Sequence, residues 1–266
     1  MQSLAGYWKN FFNNCRRPPY IHPKDEDNKS LNDYLKRKQN LRDPLSFNAF
    51  VKSQRFDPKD EDFHFSLLPV PYAGNLEKAD VFILLLNPSV APSDYYGEYK
   101  NRAFRRALQQ NLEQDFQGVE YPFVYLNPQF CWHHGYRWWE AKLRDIVQAV
   151  AREQHRGRYH DALKAVSRRV VAIDLVPYHS AHFSGGSRMT NLPSAETARD
   201  WVHRCLSVRA KEDKAVIVVA RQYRVWGLEE IRDHIVCYNS SEARAAHLTS
   251  NSRGGKAILK RLRSKS

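Results

Sequence analysis

The chain has 266 residues, enough to bury a large core in one domain or in one domain carrying a helical appendage. Its 42 Lys and Arg against 29 Asp and Glu give a formal charge of +13, which points to a polyanionic partner, with nucleic acid the leading class. No apolar run reaches membrane-spanning length and Met1 to Asn14 lacks the pattern of a secretory leader, so no membrane partner is expected and the expected setting is cytoplasmic.

In chain order, residues 1–77 read as an N-terminal helical and loop extension on a main domain covering 78–266. Leu4, Tyr7, Trp8, Phe11 and Phe12 recur at helical spacing and predict one amphipathic helix. Pro18 to Asp43, charged and proline-bearing, reads as loop and short helix, and Phe63 to Tyr72 as an extended lead-in. The apolar run Val81 to Leu86 is too short for a bilayer and rich in β-formers, so it predicts a buried central strand. Proline stops it at Asn87-Pro88-Ser89. Polar residues just past a strand's carboxyl end face the ligand crevice in an open parallel sheet, which makes Asn87 the first candidate for chemistry. The alternative is a strand cap and an ordinary turn.

Val90 to Glu98 reads as a loop able to cover a pocket, and Asn101 to Leu112 as a helix with Arg102, Arg105 and Arg106 on or near an exposed face. Tyr121 to Pro128 reads as a short strand whose period of two puts Phe123 and Tyr125 on one side. If that side faces a pocket, one ring can stack on a planar base; if not, both are core. Cys131-Trp132-His133-His134 has no complementary pair at ligand spacing, so no metal site is expected, and the four scattered cysteines form no CxxC pair. Arg137 to Glu153 predicts an amphipathic helix buried through Trp138, Leu143, Ile146, Val147 and Val150.

A second strand, Arg169 to Val176, carries Asp174 inside an apolar run, where a carboxylate is costly unless satisfied. It either caps backbone N–H groups or meets a ligand. Ser184-Gly185-Gly186-Ser187-Arg188 reads as a flexible basic loop before a helix from Ala195 to Ser207. Lys214 to Ala220 and His234 to Tyr238 supply two further strands with a crossover helix at Val225 to Arg232, and a basic helix starts at Lys256. Its lead-in, His247 to Gly255, has the small hydroxyl residues and glycines that hold a phosphate against backbone N–H groups. Four apolar strands alternating with helices predict a three-layer α/β/α sandwich around a central, mainly parallel four-stranded sheet.

The strand ending in Leu86-Asn87-Pro88-Ser89, followed by His247-Leu248-Thr249-Ser250-Asn251, resembles the two active-site motifs of the uracil-DNA glycosylase superfamily. The first is similar to its Asn-Pro-Gly motif, with Ser89 for glycine. The second is similar to its His-Pro-Ser loop, with Leu248-Thr249 for proline. The resemblance covers about residues 78–266 and implies a cofactor-free DNA glycosylase acting on a flipped base. Asn87 would position the attacking water, and His247 would stabilise charge on the departing base. Tyr125, Phe123 or Tyr178 would contact the base, Ser89, Ser250 and Ser252 would hold phosphates, and Leu248 or Arg253 would fill the vacated stack.

In the resembling enzymes the second strand presents an asparagine to the edge of uracil. An ionised aspartate only accepts hydrogen bonds, and a protonated one also donates, so Asp174 favours a cytosine-type base over uracil. Excision of ordinary cytosine would destroy the host genome, so a bulky base substituent is the expected discriminator. The chain is thus similar to bacterial anti-phage glycosylases that excise glucosylated 5-hydroxymethylcytosine. For the added sugar, Tyr95, Tyr96, Tyr178 and His179 are candidates. A repair glycosylase for uracil or damaged bases, and an inactive nucleic-acid-binding module, are the alternatives.

Overall fold

Val81–Leu85 forms a central strand because its branched and aromatic side chains fill a core on both faces, as the buried residues Val81 to Leu84 show. The computed structural model describes residues 3–38, 43–183 and 186–264. Contacts divide the chain into two units interleaved in sequence. The first comprises Met1–Pro71, Leu86–Glu113 and Asp174–Asp200, and the second Tyr72–Leu85, Gln114–Ile173 and Trp201–Ser266.

The second unit is α/β, built on a single mixed sheet. Its strands are β1 (Tyr72–Ala73), β2 (Val81–Leu85), β3 (Val170–Asp174, whose last residue belongs to the first unit), β4 (Val216–Val219) and β5 (Ile235–Cys237). Their order is β1-β3-β2-β4-β5. β2 and β4 are parallel, with Val81 opposite Val216, and so are β4 and β5. The sheet has one strand more than the expected four. Tyr72 and Ala73 pair antiparallel with Ile173 and Ala172. Gly74 then leaves the edge at φ +108°, where a Cβ would lie 2.5 Å from the Val170 carbonyl oxygen.

Helices cover this sheet. Arg253–Arg263 packs on β2, β4 and β5 through Ala257, Ile258 and Leu262, and His134–Gln154 packs beside Tyr159–Arg169. His134–Gln154 buries Leu143, Ile146, Val147 and Val150 as expected, but Trp139 rather than Trp138 is the buried indole. At the start of β2, Asp80 accepts from Arg169 Nε at 3.0 Å and from Arg261 Nε at 2.9 Å, tying two helices to the strand. At its end, Trp226 donates from Nε1 to the Leu85 carbonyl at 2.9 Å. The expected crossover helix shrinks to Tyr223–Trp226, because Gly227 turns the chain at φ +66°.

The expected strand over 121–128 is instead two 3-10 turns, Val124–Leu126 and Pro128–Phe130. Pro122 and Pro128 have no N–H to give a ladder. Between them the Leu126 and Asn127 N–H groups close local turns, onto the Phe123 and Val124 carbonyls, and Phe123 N donates to Ser167.

The first unit is helical. The single helix expected over residues 4–12 breaks into Leu4–Trp8 and Phe11–Asn14, since Asn10 takes φ +64°, a conformation asparagine tolerates. The segment expected to be a pocket-covering loop is a helix, Pro92–Lys100. Pro92 starts it, and the Asp94 carboxylate accepts from Ala91 N at 2.7 Å. Tyr95 from this helix stacks on Phe50 at 3.9 Å and, with Leu67, forms a buried cluster. Helix Arg102–Glu113 leaves Arg102 and Arg106 exposed, whereas Arg105 is half-buried between Glu98 and the Tyr20 hydroxyl. Of the expected basic loop, Gly186 to Arg188 begin the short helix Gly186–Thr190, and Ser184 and Gly185 lie outside the described residues. Among the described residues, no helix is long and apolar enough to cross a membrane.

Candidate active site

Past the ends of β2 and β3 the chain continues as two adjacent segments of the first unit, Leu86 to Ser89 and Val176 to Ser180. Val176 N donates to the Leu86 carbonyl at 2.8 Å and Ser180 N to the Pro88 carbonyl at 3.2 Å. His179 Nδ1 lies 2.7 Å from the Ser89 carbonyl, an acceptor, so that nitrogen carries the proton. The second segment is held from behind, with the His179 carbonyl accepting from His64 N and the Pro177 carbonyl from Val70 N.

Asn87 sits half-buried at this junction. Its Nδ2 donates to the Pro88 carbonyl at 3.0 Å and the Ser180 hydroxyl oxygen at 2.9 Å, with the Tyr178 carbonyl at 3.4 Å. Carbonyls only accept, so the amide nitrogen must face this cluster and Oδ1 must face away from it. Oδ1 takes no hydrogen bond from the described residues. The arrangement therefore presents a fixed, unengaged acceptor immediately past a parallel strand.

Asp174, the last residue of β3, is 6 % exposed and its Oδ1 is buried without a hydrogen-bond partner, while its backbone N–H is used by the Pro71 carbonyl. Of the two expected roles, capping backbone N–H groups is not filled by Oδ1, which receives no donor. Burial raises its carboxyl well above the usual range, favouring the neutral acid.

The Tyr178 side chain is packed into the fold. It is 1 % exposed, its hydroxyl donates to Asp25 Oδ2 at 2.6 Å, and it accepts from His22 N at 3.2 Å. Asp25, completely buried, also accepts from Ser194 N at 2.8 Å. Of the candidate sugar contacts, Tyr95 and His179 are buried too, and Tyr96 is exposed. Ser89 is exposed.

The remaining expected site residues belong to the second unit. Phe123 is fully buried, edge-on to Trp139 at 4.9 Å, so for this residue the core alternative holds. Tyr125 is 8 % exposed and stacks on His133 at 5.8 Å; a Cβ on Gly135 would lie 2.7 Å from its ring.

His247 is exposed on the loop before the terminal helix. Ala246 enters that loop at φ +45°, Lys142 Nζ donates to the Ala245 carbonyl, and the Tyr238 hydroxyl donates to the His247 carbonyl. Leu248 is 1 % exposed, which removes it as a wedge for a base stack. Ser252 caps the helix, accepting from Gly255 N at 3.0 Å and donating to the Thr249 carbonyl at 2.8 Å, so its hydroxyl is used by the fold rather than offered to a phosphate. Arg253 pairs with Glu230 and Glu242, and Ser250 is half-buried.

Sequence reasoning missed Ser180 as a functional candidate and Asp25 as the buried carboxylate that holds Tyr178. Ser180 carried a faint signal, as a small polar residue just past Pro177 at a strand end. Asp25 carried none, lying in a charged segment indistinguishable from solvated loop. No protein-family model matches the chain, and no curated protein or solved structure matches it.

Proposed function

We propose that the chain is a monofunctional DNA glycosylase that hydrolyses the N-glycosidic bond of a modified cytosine-type nucleotide and leaves an abasic site, with a three-layer core of the uracil-DNA glycosylase type. The observation that carries this reading is the Asn87 amide, pinned through Nδ2 with Oδ1 unengaged. An amide is too weak a base to remove a proton, but its oxygen can accept a hydrogen bond from water and hold that water's lone pair towards C1′. The C1′–N bond then breaks with its electron pair leaving on the base, the water oxygen bonds to C1′, and the water's proton passes to solvent.

Asp174 supports a cytosine-type base. As a neutral acid it has one donor for N3 and one acceptor for the exocyclic amine. His247 keeps the role implied by the motif resemblance, donation to the departing base, and for that role it stands on the sequence. Glucosylated 5-hydroxymethylcytosine of phage DNA is the proposed substrate, and anti-phage defence the proposed purpose.

The test is incubation of the purified protein with matched duplexes carrying uracil, cytosine, 5-hydroxymethylcytosine or its glucosylated form, followed by alkali to cut abasic sites. Cleavage confined to the glucosylated duplex and reduced by Asn87→Ala to a low, measurable residual level is expected. Cleavage of the uracil duplex would favour a repair enzyme, and no cleavage of any duplex would favour a binding module.

A further inference from the structure

The Asn87 amide has three acceptors, and they are not equivalent. The Pro88 carbonyl belongs to the next residue, so that contact follows Asn87 wherever its own segment goes. The Tyr178 carbonyl, at 3.4 Å, is at the edge of hydrogen-bond range. The Ser180 hydroxyl, at 2.9 Å, is the short link between Asn87 and the segment after β3. Ser180 is itself immobilised, 2 % exposed with its N–H on the Pro88 carbonyl, and its neighbour His179 holds the Ser89 carbonyl.

We propose that Ser180 is the positioning residue of the Asn87 site: its hydroxyl oxygen fixes the rotation of the amide, and with it the direction of Oδ1. The inference rests on the glycosylase reading for its consequence in catalysis, but its geometry stands apart from that reading. Without the hydroxyl, the amide keeps only its contact with the next residue and one long contact, and its plane can turn. A displacement of about 1 Å in a positioned reactant costs on the order of a hundredfold in rate.

The experiment combines a spectroscopic and a kinetic arm on the full chain. In ¹H–¹⁵N spectra, the Asn87 side-chain amide is assigned by its loss in Asn87→Ala. In Ser180→Ala that resonance pair is expected to shift and to exchange faster with water, and in Ser180→Thr, which keeps the hydroxyl, to stay near its wild-type position. An unchanged Asn87 amide in a folded Ser180→Ala variant would overturn the proposal, whatever the protein's activity.

Kinetically, Ser180→Ala is expected to lower kcat about 10- to 100-fold with KM for DNA within about twofold, and Ser180→Thr to recover most of the loss. Adding Ser180→Ala to Asn87→Ala should cost nothing more, because the two act as one unit. A further loss in that double variant would overturn the positioning role. Full activity in Asn87→Ala would overturn the glycosylase roles while leaving the spectroscopic arm to decide on Ser180.

Discussion

Replacing Asn87 by aspartate changes one nitrogen into one oxygen and tests the site's electrostatics directly. The Ser180 hydroxyl can turn and donate to a carboxylate, but the Pro88 carbonyl at 3.0 Å and the Tyr178 carbonyl at 3.4 Å cannot. Two donated contacts become lone-pair repulsions at a half-buried position. A protonated carboxyl has one O–H and recovers one of the two carbonyl contacts, so the ionised form is disfavoured by about 1–2 kcal/mol. This holds the new carboxyl above the usual carboxylate range in the folded protein. Its folded pKa then lies above its unfolded value, so the contribution to stability is fully present below pH ~4 and lost as pH rises through that raised value.

Urea unfolding of Asn87→Asp and of the parent across pH 4–8 measures the difference, and base release over the same range reads the chemistry. The variant should lose stability relative to the parent as pH rises, and release base best at the acid end, where the protonated carboxyl again donates. A stability difference independent of pH, or wild-type base release at pH 8, would refute the orientation of the Asn87 amide.

Glu98, buried with both oxygens accepting from Leu68 N, is pushed up to about 8 chiefly by that burial. Its folded pKa exceeds the unfolded one, so stability is present below pH ~4.5 and declines towards pH 8; Glu98→Gln should flatten that decline by a few kcal/mol, as chemical unfolding against pH will show. In Gly255→Ala the new methyl would collide with the Thr249 carbonyl oxygen, a backbone atom, so a loss of about 1–3 kcal/mol is expected. Calorimetry should then give a Tm lower by several degrees, and an unchanged Tm would count against the loop geometry. Tyr178→Phe strips a donor from Asp25 and an acceptor from His22 N, costing about 1–3 kcal/mol of stability. Because the Tyr178 ring is buried and its hydroxyl is engaged by Asp25 and His22, kcat should hold, and a fall in kcat with unchanged stability would restore the ring as a base contact.

The strands were legible because their signal is local. Val81 to Leu85, Val170 to Ile173 and Val216 to Val219 each advertise burial on both faces by an unbroken apolar run. The misread elements were those where short-range chemistry outweighs pattern. Phe123 and Tyr125 alternate like strand residues, yet flanking prolines remove the donors a ladder needs, and turns closing over three residues take up the N–H groups of Leu126 and Asn127. The helix at Pro92–Lys100 was hidden by its tyrosines and glycine, although Pro92 and Asp94 are ordinary first-turn residues. The two-residue β1 was too short to show any periodicity.

The site was legible in one respect and opaque in another, for a single physical reason. A strand end is written in consecutive residues, so Asn87 and Asp174 could be singled out from an abrupt stop and from a carboxyl in an apolar run. What a side chain can do there depends on residues far along the chain. Ser180 lies 93 positions from Asn87, and only the adjacency of the two segments makes its hydroxyl a partner. The same dependence separates Asp174 from Asp25. Both are aspartates in buried surroundings, but Asp25 receives Tyr178 and Ser194 as donors and is spent on the fold. Asp174 has an oxygen without a donor, and burial raises its carboxyl well above the usual range. A carboxyl that the fold leaves unsatisfied costs stability at that point, and a ligand that supplies both a donor and an acceptor recovers part of the cost on binding. That asymmetry, rather than either residue's type, is the reason the proposed reading assigns the ligand contact to Asp174 and not to Asp25.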